Sequence, residues 1–175
     1  INTSGVKEGD YSMVYGFPYV TRECLSASQL SQTIDISNPI RIEARRLKLG
    51  VWDEAMRKDA DIFLKYASKQ SSVSNGYKKW QGELRGLAIN EVPDKKRAYE
   101  QRLIAKTSQD TSANSPRMIL SQINAAVENN NKYLRALEST GETVLGIEIV
   151  RQAESLQKVL DVHRKGIKGQ ALTDT

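Results

Sequence analysis

The chain has 175 residues, 39% hydrophobic and 27% charged, with 26 Lys and Arg against 21 Asp and Glu for a net charge of +5. That length suits one domain with a real core, and no apolar run is long enough to span a bilayer as a single helix. Cys24 is the only cysteine, which excludes an intramolecular disulfide and a cysteine-based zinc cage.

The chain starts at Ile1 rather than Met, which reads as a processed or trimmed end whose leader could already be gone. Residues 1–38 read as an extended N-terminal arm. Within it, Tyr11, Met13 and Tyr15 alternate before Gly16 and Pro18 interrupt the pattern, as in a short strand or an extended segment. Leu25 and Leu30 are too sparse for more than a weak helix or turn.

From Asn38 and Pro39 the pattern predicts a long helix over about 39–70. Asn38 is placed to cap it, and Pro39 fits the first helical position. Ile40, Ala44, Leu47, Val51, Ala55, Ile62 and Tyr66 follow helical spacing, while Trp52, Met56, Ala60 and Phe63 widen the apolar surface. Residues 76–106 follow as a small basic appendage with two weaker helical stretches. Gly82 and Gly86 weaken the first of these, and Pro93 introduces the second.

A polar loop over 107–115 leads to Ser115–Pro116, a second cap-and-proline start. Ile119, Ile123, Ala126, Tyr133, Leu134 and Leu137 predict a helix over 116–138. Ser139 and Glu142 match a capping box. Beyond it Leu145, Ile149, Ala153, Leu156, Leu160, His163 and Ile167 recur at heptad-like spacing, predicting a helix over 141–167. Together these make a long antiparallel hairpin in which Gly146, Ile149, Ala153, Leu156 and Leu160 pack against the preceding helix. The fold class is all-α: an elongated bundle of three long helices, with the appendage and the arm, residues 39–175 forming the bundle.

The chemistry is sparse. His163 is the only histidine, so no zinc hydrolase site or His-dependent triad is supported, and no cofactor or metal is expected. The Gly82–Gly86 stretch lacks the strand and Lys-Ser/Thr of a phosphate loop. The positive excess is central and densest at Lys95, Lys96 and Arg97. With Tyr77, Trp80 and Tyr99 these residues form a candidate partner-binding set. Lys78, Lys79, Arg85, Arg102 and Lys106 extend it toward a grip on nucleic acid, and a solvated helix face explains the same pattern.

Gly146, Gln152-Ala153, Leu156-Gln157 and Leu160 resemble the last long helix of minor pilus subunits of type IV secretion and conjugative transfer systems. The order of a long helix, an inserted appendage and two long helices is similar to that family's layout. The resemblance implies a non-enzymatic structural or adhesive subunit at the periplasm or cell surface. Its partners would be other subunits of an assembly, copies of itself included. A structural subunit of another helical assembly, such as a phage virion, and a basic nucleic-acid-binding module are the alternatives.

Overall fold

The computed structural model describes residues 24–164 continuously, together with 5, 7–11, 13, 15, 16 and 22. The sequence reading of Pro18, Ile167 and the tail beyond it lies outside these residues. Among the described residues the fold is all-α, and no helix is long and apolar enough to cross a membrane. Tyr11, Met13 and Tyr15 are exposed.

Helix begins well inside the segment read as an extended arm. Helix α1 (Ala27–Gln32) opens on a capping box in which Gln29 N–H donates to Ser26 Oγ and Ser26 N–H donates to Gln29 Oε1. A π-helical turn (Thr33–Ser37) carries α1 straight into α2 (Asn38–Lys58). Pro39 therefore lies inside a continuous helix rather than at its start. A proline there has no N–H for the i−4 carbonyl and its ring crowds that carbonyl. The wider turn relieves both problems, with Asn38 N–H reaching back to Thr33 O. Asn38 is not a cap. Its side chain is fully buried, and Nδ2 donates to Glu83 Oε2 at 2.9 Å.

The helix expected over 39–70 is broken at Asp59, whose backbone is extended. Asp59 Oδ1 accepts from Asp61 N–H (2.7 Å) and Ile62 N–H (3.1 Å), so it starts α3 (Ala60–Ile89) on a fresh cap. The main hairpin of the fold is thus α2 against α3. Asn38 meets Glu83, Arg45 meets Val73, Trp52 meets Tyr66 and Asp53 meets Gln70, an antiparallel register closing on Asp59. At 30 residues α3 absorbs the first half of the stretch read as an appendage. The second half is α4 (Val92–Lys106), reached through Glu91 in a left-handed conformation and followed by the loop to Ser115.

Helix α5 (Pro116–Glu142) starts where the proline predicts and then runs past Ser139 and Gly141. No capping box forms, because both of its residues are already helical. Ser139 O accepts from Thr143 N–H and Thr143 Oγ1–H, and Glu142 turns its carboxylate to α2. Arg41 pairs with Glu138 and Arg45 with Glu142, so α5 lies parallel to α2. A turn over 143–147 leads to α6 (Glu148–Arg164).

Among the described residues the expected hairpin of α5 and α6 does not form, for α6 has no substantial packing against the other helices there. Its described seam residues Ile149, Ala153, Leu156 and Leu160 are all exposed. The heptad spacing was legible, but its partner is not α5, which spends its apolar and acidic positions on α1 and α2. The buried apolar residues are few: Ala27, Leu30 and Ile36 lie in α1 and the π-helical turn, far along the helix from the cleft, and Leu49 lies in the middle of α2 beside Lys48.

Candidate functional site: a basic cleft at the α5–α6 turn

An open cleft of about 1210 Å³ lies between the middle of α2, the middle of α3 and the α5–α6 turn. Its apolar side is a T-shaped pair, Trp52 from α2 and Tyr66 from α3, with ring centroids 5.4 Å apart. Leu145, Ile147 and Ile149 face it from the turn and from α6. Lys69 lies 4.9 Å from the Tyr66 ring centre and pairs with Glu148 at 2.6 Å, fastening the first turn of α6 to α3. Glu148 holds the Lys69 ammonium above its usual range.

Arg45 lines one end of the cleft, and beyond it two arginines of α2 stack on Trp80. The Arg45 guanidinium carbon stands 4.3 Å from the Trp80 ring centre, and that of Arg41 stands at 5.1 Å. Each makes a two-point contact with a carboxylate of α5, Glu138 for Arg41 and Glu142 for Arg45. Arg45 also reaches Val73 O. That path exists because position 76 has no side chain: a Cβ there would meet Arg45 Nη1 at 2.2 Å. Gly76 therefore lets a guanidinium pass between α2 and α3 and lie on Trp80.

Gly146 serves the neighbouring corner. A Cβ on it would stand 2.5 Å from Glu142 O and 2.8 Å from Lys48 Nζ. The glycine is not inside a helix; it belongs to the turn that brings the chain back over the C-terminus of α5. Lys48 Nζ donates there to Glu142 O (3.4 Å) and Gly146 O (3.2 Å), the favourable place for a cation at a helix C-terminus. Burial pushes the Lys48 ammonium below its usual range, and the charges of Arg45 and Arg151 press the same way. Glu142 opposes them.

The structure distributes the other sequence candidates over two helices. Tyr77 and Trp80 lie on α3, and Trp80 is taken up by the two arginines. Lys95, Lys96, Arg97 and Tyr99 lie on α4, where Arg97 pairs with Asp94 and Lys96 approaches the exposed Tyr99 ring at 5.9 Å. His163 is exposed near the end of α6, and no serine, cysteine or carboxylate of the described residues hydrogen-bonds to it. Sequence reasoning missed Arg45, Lys48, Lys69 and Arg151, because nothing in their spacing shows that α2, α3 and the α5–α6 turn converge. Gly76, read from the sequence as the end of a break between two helical stretches, lies inside α3 and was the available signal.

Comparison with known proteins gives the chain its relatives. The family profile described as peptidase S46 matches residues 1–171. An Asp/Glu-specific dipeptidyl-peptidase of Capnocytophaga gingivalis is 46% identical over 87 residues, 50% of this chain and 12% of that protein. Another Asp/Glu-specific dipeptidyl-peptidase, from Flavobacterium psychrophilum, is 38% identical over 118 residues, covering 65% of this chain and 16% of the relative. Dipeptidyl-peptidase 7 of Porphyromonas endodontalis is 33% identical over 160 residues, 91% of this chain and 20% of its own length. The chain thus spans a fifth or less of the length of these relatives.

These matches overturn the likeness to minor pilus subunits of type IV secretion and conjugation, and with it the non-enzymatic structural or adhesive role. They equally displace the virion-subunit and nucleic-acid-module readings. The motif behind the pilus likeness, Gly146 with Gln152-Ala153 and Leu156, is a turn glycine followed by an ordinary amphipathic helix. Such a pattern recurs wherever a helix leaves a tight turn. A match running from residue 1 to residue 171 outweighs it, and the chain belongs to the peptidase S46 family.

Proposed function

We propose that this chain is a helical part of a dipeptidyl-peptidase, and that its helices form a wall of the space that holds the peptide. The groups that break the peptide bond lie outside the described residues. The observation that carries the reading is the family match over residues 1–171 to a family whose relatives bear dipeptidyl-peptidase names. Peptide hydrolysis by a side-chain nucleophile needs a base beside it. Among the described residues no histidine stands beside a serine or cysteine. What the helices do offer is a long cleft with an aromatic side and a hydrogen-bonding rim, the kind of surface that orients a chain segment rather than cuts it.

The test uses the whole polypeptide that carries this sequence. It is expected to release dipeptides from peptides with a free amino terminus and to leave amino-terminally acetylated peptides intact. Trp52→Ala should raise KM several-fold with a smaller change in kcat, the mark of lost substrate binding rather than lost chemistry. Cleavage that ignores the amino terminus, or no cleavage at all, overturns the reading. A Trp52→Ala effect confined to kcat removes the wall from it.

A further inference from the structure

Cations outnumber carboxylates on α4, and the fold engages both carboxylates away from most of those cations. Asp94 pairs with Arg97, and Glu100 Oε1 accepts the Ala27 N–H at 2.8 Å, at the start of α1. The side chains of Lys95, Arg102 and Lys106 make no ion pair or hydrogen bond among the described residues. Three positive charges are therefore left to solvent on one short helix.

They are not scattered over it. With about 3.6 residues per turn, Lys95, Tyr99, Arg102 and Lys106 fall within about 60° of one another around the helix axis. All four are exposed, whereas Leu103 and Ile104 are half-buried on the side turned to the bundle. Successive members stand one turn apart, and the row from Lys95 to Lys106 is roughly 16 Å long. Its order is cation, ring, cation, cation. Ala98 and Ala105 flank it, exposed and short, so nothing on that side stands above the row.

This arrangement discriminates among anionic partners. A bilayer surface calls for apolar side chains beside the cations, and those of α4 face the other way. A single-stranded nucleic acid is gripped by aromatic rings in series, and the row holds one. A polysaccharide chain fits better, because one helical turn of about 5.4 Å is close to the length of a sugar unit. Each member of the row then meets one sugar. The exposed Tyr99 ring gives a sugar ring a flat apolar partner, and the cations take carboxylates or sulfates on its neighbours.

We propose that the exposed face of α4 binds a linear anionic polysaccharide through Lys95, Arg102 and Lys106, with Tyr99 stacked on a sugar ring between them. No residue of α4 lines the cleft between α2, α3 and the α5–α6 turn, so the surface holds the polypeptide on a polymer while the cleft stays open.

The whole polypeptide that carries this sequence is titrated with a labelled heparin octasaccharide, followed by fluorescence anisotropy. Polyglutamate and oligo-dT of matched charge are the controls. The octasaccharide is expected to bind about tenfold tighter than either, and added salt should weaken it. Lys95→Gln, Arg102→Gln and Lys106→Gln together should lower its affinity at least about tenfold. Arg57→Gln, Lys65→Gln and Lys132→Gln remove the same charge from exposed positions on α2, α3 and α5, and should lower it less than about twofold. Tyr99→Ala should weaken the octasaccharide several-fold and leave polyglutamate unchanged, while Tyr99→Phe keeps the stacking. All these positions are exposed, so each variant should unfold at the temperature of the parent.

No binding of the octasaccharide, or equal binding of polyglutamate or oligo-dT, overturns the proposal. Equal losses from the two triple variants overturn it too, by showing that net charge alone sets the affinity. Dipeptide release is measured separately, and its absence defeats the peptidase reading without touching the polysaccharide result.

Discussion

The two ends of this molecule are held together by different physics. At one end α1, the π-helical turn and the start of α2 bury Ala27, Leu30 and Ile36 together with Asn38 and Ser115. At the other, α6 leaves a turn with its apolar seam exposed and is fastened by one ion pair and a few hydrogen bonds. Between them the α2–α3–α5 bundle is stitched by arginines rather than filled by hydrocarbon. The difference teaches that helical content alone says little about where stability lies. Substitutions of equal size should have unequal effects at the two ends.

The largest effect is expected from Asn38→Asp. Asn38 is fully buried, its Nδ2 donates to the Glu83 carboxylate, and its Oδ1 has no hydrogen-bond partner among the described residues. An aspartate there places an unpaired charge at a fully buried position, against the carboxylate of the more exposed Glu83, which costs about 3 kcal/mol. Burial and the like charge would raise the new carboxyl above its unfolded pKa. The unfolded chain then loses its proton first, so the cost grows as pH rises through that window and shrinks as pH falls. Urea midpoints at pH 8 and pH 4, measured for both proteins, should show the gap closing at the lower pH. A gap independent of pH removes the buried carboxylate as its cause.

Ile36→Ala comes next. Ile36 is 3% exposed within the π-helical turn, and losing its side chain should cost about 2–5 kcal/mol in chemical denaturation. A cost under about 1 kcal/mol would mean that the buried end collapses around the missing atoms and is not the tightly packed region.

The helices and the all-α class were legible from apolar spacing, and so was the start of α5 at Pro116. The breaks were harder. Asn38–Pro39 carries the signature of a helix start, yet tertiary burial of Asn38 made it the interior of a longer helix with a π-helical turn. Asp59 carries a genuine cap signature, but it sits within a pattern that stays apolar on both sides and so reads as unbroken helix. The cleft was the least legible feature. Its residues come from four helices and a turn, and only the α2–α3 register and the parallel α2–α5 pairing bring Lys48, Lys69 and Arg151 together.

The arginine-stitched middle predicts an interaction rather than a single large loss. Gly76→Ala gains about 1 kcal/mol in helix propensity but drives a Cβ into Arg45, which must then leave Trp80 and Glu142. The two terms are similar in size, so Gly76→Ala alone should be close to neutral. In an Arg45→Ala background the clash is gone, and the same substitution should stabilise by about 1 kcal/mol. A double-mutant cycle on urea midpoints measures the coupling. Strictly additive effects would show that the guanidinium does not thread past position 76.

The smallest effect is expected at the far end, where Leu156→Ala tests whether α6 stands apart from the bundle. Leu156 is 54% exposed, on a helix without substantial packing against the others. Alanine at an exposed helical position is at least as favourable as leucine for the backbone, and little buried surface is lost. The substitution should therefore shift the unfolding free energy of this chain by less than about 0.5 kcal/mol, several-fold below Ile36→Ala. A loss above about 2 kcal/mol would require a buried leucine, and α6 would then have to lie against the other helices. Hydrogen exchange gives the same comparison without mutation. Amides of α6 should exchange by local opening well before those flanking Ile36, which are released only by global unfolding.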